Sequence, residues 1–370
     1  MIKSFEYRIY PTKAQQKLLD KQLSICAELF NTLLHQRKIE YEINNKSISL
    51  FNQHKFITQL KEVDTKYKEV HSQVLQNVAV RLDLAFQAFF RRIKNGEKAG
   101  YPRFKSKSRY NSLTFPQVPS GCLIKGNHLV VSKVGKIKIK QHRDLTGTPK
   151  TATLKKSATG KWYVIFTSEV KNLNVKSPQT SPVGIDVGIE SFAHFSNNEK
   201  IENPKFFKKE EKQLAKAQRK LSKQVKGTKE RQKARKVIAR IHERISFKRK
   251  NFAHQQSRRL VDLFNPIFIE DLSINNMQQN SHRCMNKAIS DVAWNMFFNL
   301  LLYKAEDAGK VVNKVNPAYT SQNCSDCGHR NKLKLSDRVF SCECCNFETS
   351  RDHNAALNIL ALGLQSSAQA

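Results

Sequence analysis

Apolar residues recur along this chain with two periods, and the changes between them mark out its regions. Residues 1–10 alternate apolar and polar as a short strand does, and Pro11 closes the run. Thr12 and Gln15 stand at capping-box spacing, and Leu19, Leu23, Cys26, Phe30 and Leu34 follow in three- and four-residue steps, which predicts a helix. A shorter helix is expected over 53–63. A third, over about 72–93, carries Val74, Val78, Leu82, Ala85 and Phe89 on one face and ends in Arg91-Arg92. Such stripes read as bundle core. From about 112 to 170 the period shortens to two. An apolar run at 129–131, strict alternation at 136–140 and two strand-like runs around Ser157-Ala158-Thr159-Gly160 predict a small β-barrel or sandwich.

Residues 172–182, rich in Asn, Ser and Pro, read as a linker. Beyond it, 183–190 is a buried-type strand with Asp186 at its centre, and 191–197 its hairpin return. Residues 205–250 predict two helices divided at Gly227, with Leu214, Ala217 and Leu221 on one seam and Val237, Ile241 and Ile245 on the other. A second buried strand, 266–272, ends in Glu270-Asp271. A polar, basic loop is expected over 273–289, then an amphipathic helix over 290–308 seamed by Trp294, Phe297, Leu301 and Ala305, then a short strand at 310–315. The fold class is therefore α+β and multi-domain, which 370 residues allow. The expected order is an N-terminal strand and helical lobe (1–111), a β region (112–171), the linker, and a second half from 183.

Charge narrows the partner. The chain has 65 Lys+Arg against 31 Asp+Glu, a net +34, which points to a polyanion, nucleic acid above all. Membrane attachment lacks an amphipathic anchor or a lipidation signal, and a cytoplasmic protein is expected, bound to the nucleoid when on DNA. Between 91 and 109, Arg91, Arg92, Lys94, Lys98, Arg103, Lys105, Lys107 and Arg109 face Glu97 alone, with Tyr101 and Phe104 between them. Cations for phosphates and rings for bases suit a nucleic-acid groove. Residues 205–250 hold 19 Lys/Arg against four Glu. Arg219, Lys220, Arg235 and Arg240 then give the helix pair cationic outer faces fit for a backbone.

Eight cysteines in such a chain are metal ligands or bystanders rather than disulfides. Cys324/Cys327 and Cys342/Cys345 form two CxxC knuckles fourteen residues apart, the spacing of a closed tetrahedral Cys₄ zinc site. Cys344 could supply the fourth sulfur in place of Cys345 but breaks the two-residue spacing. Cys26, Cys122 and Cys284 stand alone. Four sulfurs leave no open position, so the site is expected to be structural and to hold Asp352, a few residues on. Asp186, Glu270 and Asp352 each sit in or at the end of a strand, or at a helix start. Together they can surround a pair of divalent ions, Mg²⁺ or Mn²⁺, which cleave a phosphodiester.

The chain resembles the TnpB family, accessory proteins of bacterial insertion sequences. The motifs that carry the resemblance are Tyr7-Arg8-Ile9-Tyr10-Pro11-Thr12, Tyr101-Pro102-Arg103-Phe104-Lys105, Gly184-Ile185-Asp186-Val187-Gly188, Ile269-Glu270-Asp271-Leu272, Thr320-Ser321-Gln322-Asn323-Cys324 and Arg351-Asp352-His353-Asn354-Ala355-Ala356. The resemblance implies a helical lobe and a β-barrel, followed by a RuvC-type nuclease domain of ribonuclease-H fold (183–319 and 349–370) interrupted by a zinc ribbon (320–348). It implies an RNA-guided DNA endonuclease carrying RNA from the end of its own element, related to compact type V CRISPR effectors, with a target flanked by a short motif. Asp186, Glu270 and Asp352 match the family's catalytic acids, and Cys324, Cys327, Cys342 and Cys345 its zinc ligands. Ser350 departs from the pattern, since many relatives carry Asp there. The rival readings are a regulator that binds RNA and DNA without cutting, whose signature would be a lost acid, and a transposase that joins strands itself.

Overall fold

The first strand, β1 (Ile2–Tyr10), meets Pro11, whose missing N–H ends the ladder. Thr12 then opens α1 (Lys13–Asn44) with a full capping box: its hydroxyl accepts the Gln15 N–H, and the Gln15 side chain accepts the Thr12 N–H. The computed structural model describes residues 1–170, 180–334 and 337–368, which divide into two units, Met1–Lys171 and Asn172–Ala370. The expected linker at 172–182 lies largely outside the described residues.

In the first unit α1, α2 (Leu50–Val63) and α3 (Ser72–Lys94) pack along the expected stripes: Leu19, Leu23, Cys26, Phe30 and Leu34 are all buried. On α3 the seam is shifted, with Phe86 buried where Ala85 and Phe89 were expected. Seven antiparallel strands follow in the order β2-β6-β7-β1-β5-β4-β3, a barrel-like sheet left open between β2 and β3. They are β2 (Ser112–Phe115), β3 (Cys122–Lys125), β4 (His128–Val131), β5 (Gly135–Lys140), β6 (Thr148–Lys156) and β7 (Trp162–Glu169), with β1 between β7 and β5. Phe5, Tyr7 and Ile9 alternate inward and lie opposite Phe166, Val164 and Trp162 of β7. The grouping of residues 1–10 with the helices is therefore corrected: they form the middle strand of the β region. A nine-residue strand buried on one face needs partners on both edges, and local pattern cannot say that these lie as far off as Lys138 from Tyr10 and Glu169 from Ile2.

In the second unit β8 (Val183–Asp186), β9 (Ser191–Phe195) and β10 (Lys200–Glu202) form an antiparallel meander. Two long helices follow, α4 (Phe206–Ser222) and α5 (Lys229–Leu263), joined at Gly227, whose φ of +92° suits glycine. β11 (Ile267–Glu270) then pairs in parallel with β8, and β12 (Val312–Val315) in parallel with β11, completing the order β10-β9-β8-β11-β12. β11 is buried at every position, as a strand covered on both faces must be. Ile267 and Ile269 face the cluster that holds Leu260 of α5; Phe268 faces the opposite cluster with Ile359.

The stretch expected as a loop, 273–289, is instead α6 (Ile274–Gln279) and most of α7 (Arg283–Val292), and the helix expected over 290–308 is the end of α7 followed by α8 (Trp294–Asp307). Ala293, in the left-handed conformation at φ +60°, breaks the two. Buried Ile289 and Val292 account for the early start, an apolar pair too short to stand out in a polar segment. The seam of α4 and α5 is Leu214, Ile241 and Ile245 with Ile238 beside them, whereas Val237 is 45% exposed. A small ribbon, β13 (Val339–Ser341) with β14 (Glu348–Ser350), precedes the last helix, α9 (Arg351–Ala368). That helix lies so close to β8 that a Cβ on Gly184 would come within 2.2 Å of the Ala356 carbonyl. Among the described residues no helix is long and apolar enough to cross a membrane.

Candidate active site and metal centre

Asp186 closes β8, Glu270 closes β11, and Asp352 begins α9. Because β8 and β11 are parallel neighbours, their C-terminal ends open on the same edge, and α9 packs across both. The three carboxylates therefore line one cavity of about 980 Å³. Thr320 donates its hydroxyl to Glu270 Oε1 at 2.6 Å. His194 Nε2 lies 3.4 Å from Asp352 Oδ2, and the β8–β9 register sets His194 directly across from Asp186.

The electrostatics of this edge oppose ionisation. Burial pushes the Asp186 carboxyl up to about 8, and the negative charges of Glu270 and Asp352 add to it, against the Val187 N–H and Arg351. Burial likewise raises Glu270, offset in part by the Thr320 hydrogen bond. Burial lowers His194, while Asp352 opposes that shift. Among the described residues none of the three carboxylates pairs with a lysine or arginine, although Lys205, Lys208, Lys287, Arg338 and Arg351 also line the cavity. Lys287 and Arg338 are engaged instead by Glu211 and Glu190. Partly buried oxygen donors that repel one another fit a hard divalent cation. They are not drawn as tightly together as the sulfurs below.

Among the described residues, Cys324, Cys327, Cys342 and Cys345 form the one cluster of three or more potential metal-ligating residues, their ligand atoms all within 4.8 Å of one another. Cys324 and Cys345 sulfurs stand 3.6 Å apart, and Cys327 and Cys342 sulfurs 3.5 Å apart. A tetrahedral zinc with Zn–S of about 2.3 Å has edges of about 3.8 Å, so the quartet fits zinc. The N–H groups of Cys345 and Cys344 hold the Cys342 thiol down at about 6, stabilising a thiolate. Cys344 is exposed and stands outside the quartet, so the two-residue spacing of Cys345 prevails. The sulfur site is tied to α9 by two amides one turn apart. Asn354 accepts the Ser325 N–H and donates to the Asn323 carbonyl, and Asn358 donates to the Thr320 and Asn323 carbonyls.

The basic residues fall in two places. Arg91, Arg92, Arg103, Lys107 and Arg109 are exposed in the first unit, and Arg219, Lys220, Arg235 and Arg240 are exposed on α4 and α5. Lys105 departs from the expectation. It is half-buried, its ammonium 4.1 Å from the Phe30 ring centre, and its backbone is held at both ends by Asn31. Sequence reasoning missed His194 and Thr320. His194 could be found only from hairpin register; Thr320 stands in a motif, but its role depends on a loop closing over β11. Asp291 was also missed. It accepts the Phe207 and Lys208 N–H groups and pairs with Arg249 at 2.8 Å, so it caps α4 beside the cavity.

Comparison with known proteins covers nearly the whole chain. Family models described as "Probable transposase", "Cas12f1-like, TNB domain" and "Helix-turn-helix domain" match residues 165–281, 294–359 and 1–46. The last stretch folds here as β1 and the single long helix α1. A Streptomyces pristinaespiralis protein named "Putative RNA-guided DNA endonuclease" is 33% identical over 99% of this chain and 90% of its own length. An Escherichia coli protein, "Putative RNA-guided DNA endonuclease InsQ", is 30% identical over 98% of this chain and 92% of its own. A solved Cas12f1–sgRNA–target DNA complex shares the fold, with a TM-score of 0.58 at 17% identity, over 97% of this chain and 98% of that one. With full-length relatives at this identity, and with the motifs from Tyr7 to Ala356 in place, the chain belongs to the TnpB family.

Proposed function

We propose that the chain is an RNA-guided DNA endonuclease in which Asp186, Glu270 and Asp352 hold two divalent ions, Mg²⁺ or Mn²⁺. One observation carries the reading. In a chain of net charge +34, three acids from three distant segments share a cavity wall, and among the described residues no lysine or arginine pairs with them. Acids left without a lysine or arginine partner in so basic a protein are acids kept for a cation. The strand order β10-β9-β8-β11-β12, with β11 and β12 parallel to β8, supports the RuvC-type, ribonuclease-H-like assignment of this unit. RNA guidance is supported by the names of the full-length relatives.

Bound there, the ions would supply an activated water and charge stabilisation for the leaving oxygen. The protein's own residues prepare the site. Thr320 holds one oxygen of Glu270 and leaves the other for a ligand role. His194 steadies the Asp352 carboxylate. Lys205, Lys208 and Arg351 on the cavity wall attract the phosphates on either side of the scissile bond. Zinc at Cys324, Cys327, Cys342 and Cys345 would fix the segment that positions Thr320 and α9, and hence two of the three acids. The exposed cations Arg91, Arg92, Arg103, Lys107, Arg109, Arg219, Lys220, Arg235 and Arg240 would neutralise the backbones of guide and target in a cytoplasmic complex.

The test is cleavage of DNA complementary to the copurified RNA, with Asp186→Asn, Glu270→Gln and Asp352→Asn beside the native chain. Each variant is expected to lose cutting and to retain nucleic-acid binding in a gel shift. Cutting by any of them would remove that residue from the site, and cutting of unrelated DNA by RNA-free protein would replace the guided reading with the transposase.

A further inference from the structure

A second cavity, of about 190 Å³, lies in the first unit among the end of α2, the short 3₁₀ turn Thr65–Glu69, the start of α3 and the β4–β5 turn. Its walls are Lys61, Lys68, Val70, His71, Ser72 and Lys133. Three lysines and an imidazole converge there, and no carboxylate is among the lining residues. The acids of the adjoining connection are engaged elsewhere, Asp64 by Lys66 at 2.7 Å and Glu69 by Lys21. Lys61 donates to the neutral Ser72 hydroxyl at 2.7 Å, and Lys68 and Lys133 make no ion pair among the described residues.

Further features favour an anion here. The 23-residue helix α3 begins at this cavity, and its N-cap, His71, makes no side-chain hydrogen bond to it, so the first turn is left uncapped. Lys133 is held in the left-handed conformation at φ +64°, an unusual state for a lysine, within the tight turn that presents it to the cavity. Burial lowers Lys61, and burial together with Lys61 and Lys133 lowers His71, which reports cations crowded without a counter-charge. The volume is several times the roughly 30 Å³ of a liquid water, room for a hydrated phosphate.

We propose that this cavity is a phosphate-binding site that clamps one backbone phosphate of the nucleic acid the chain carries. Lys61, Lys68 and Lys133 supply the charge, and the first turn of α3 supplies N–H donors. Only the identity of the ligand rests on the nucleic-acid function proposed above. The anion site itself is tested without it.

The experiment uses the full, RNA-free chain with histidine side chains labelled for NMR. The probes are inorganic phosphate, then a short single-stranded RNA and the DNA of the same sequence. Inorganic phosphate is expected to move the His71 resonances saturably, and Lys68→Gln with Lys133→Gln is expected to abolish that movement while other histidines stay unchanged. For the single-stranded oligonucleotides, the double variant is expected to reduce the slope of log affinity against log salt by about 0.7, the release of counterions from one phosphate. A His71 response that does not saturate, or that persists in the double variant, overturns the site. Saturable phosphate binding with unchanged salt slopes for both RNA and DNA overturns the backbone assignment and leaves a free-anion site. Loss of the slope for only one polymer names the strand that is clamped. Lys61→Gln serves as a second variant if the double one fails to fold.

Discussion

At the scale of single residues, the acids of the cavity make a signed prediction about pH. The Asp186 carboxyl is raised from 3.8 to about 8, so the folded, ion-free protein keeps a proton that the unfolded chain gives up. The stability this contributes is complete below about pH 4 and is lost as pH rises through about 8. A divalent ion needs the ionised form and must displace that proton at lower pH. Mn²⁺ should therefore raise the melting temperature more near pH 8.5 than near pH 6, and Asp186→Asn should erase the difference. An ion effect independent of pH would take Asp186 out of the ligand set. Thr320 makes a second prediction. Its hydroxyl is the polar partner of a carboxylate that is 8% exposed, and hydrogen bonds to charged groups contribute about 1.5–3 kcal/mol. Thr320→Val should slow cleavage about tenfold or more and Thr320→Ser should restore it; equal rates for the two would make Thr320 merely structural. Asp186 and Glu270 were legible as acids in buried-type apolar strands and Asp352 as an acid at a helix start, although the strand expected to run on past Asp186 to 190 ends at Asp186. His194 and Thr320 were not, because what brings them in is strand register and loop closure over long sequence separations.

At the scale of elements, the cysteine ribbon illustrates how far spacing carries. Two knuckles identify four sulfurs, and the structure brings those four within 4.8 Å while leaving Cys344 exposed. Cys345→Ser should accordingly lower bound zinc from one per chain and loosen the segment 320–350, whereas Cys344→Ser should leave both metal content and melting unchanged. Metal analysis with limited proteolysis decides it, and zinc loss in the Cys344 variant would reverse the ligand assignment. Helices with long stripes, α1 and α3, were legible for the same reason: burial repeats often enough to be read. The α6–α7 segment was not, since its buried positions are few and its polar residues mask them. The place of β1 was hidden for another reason. Alternation announces a strand, but which strands lie beside it is decided by closure of the sheet, as its ladder with Trp162 to Glu169 shows.

At the scale of the whole molecule, charge and architecture bear on where target choice resides. Along 91–109 and 205–250, lysines and arginines far outnumber acids and amides, a composition that grips phosphates and discriminates poorly among base edges. The segment matched by a helix-turn-helix model is one strand and one unbroken 32-residue helix, so it lacks the two-helix docking unit that enters a major groove. The one Cys₄ site among the described residues is tied by Asn354 and Asn358 to α9, the helix that carries Asp352, which gives it a positioning task within its own unit. If the protein reads little sequence, a bound RNA must read it by pairing, as in guided nucleases. RNA-free protein is then expected to bind DNA weakly, with a steep salt dependence and equal affinity for unrelated sequences. Loaded with RNA whose terminal segment has been rewritten, it is expected to cut the new complement and to spare the old one, provided the short flanking motif is retained. The measurement is paired: cleavage of old and new targets with each RNA, and binding of both by the Asp186→Asn variant, which separates recognition from chemistry. Redirected binding without cutting in that variant is the expected pattern. A cut that stays at the old sequence whatever RNA is supplied would place recognition in the protein.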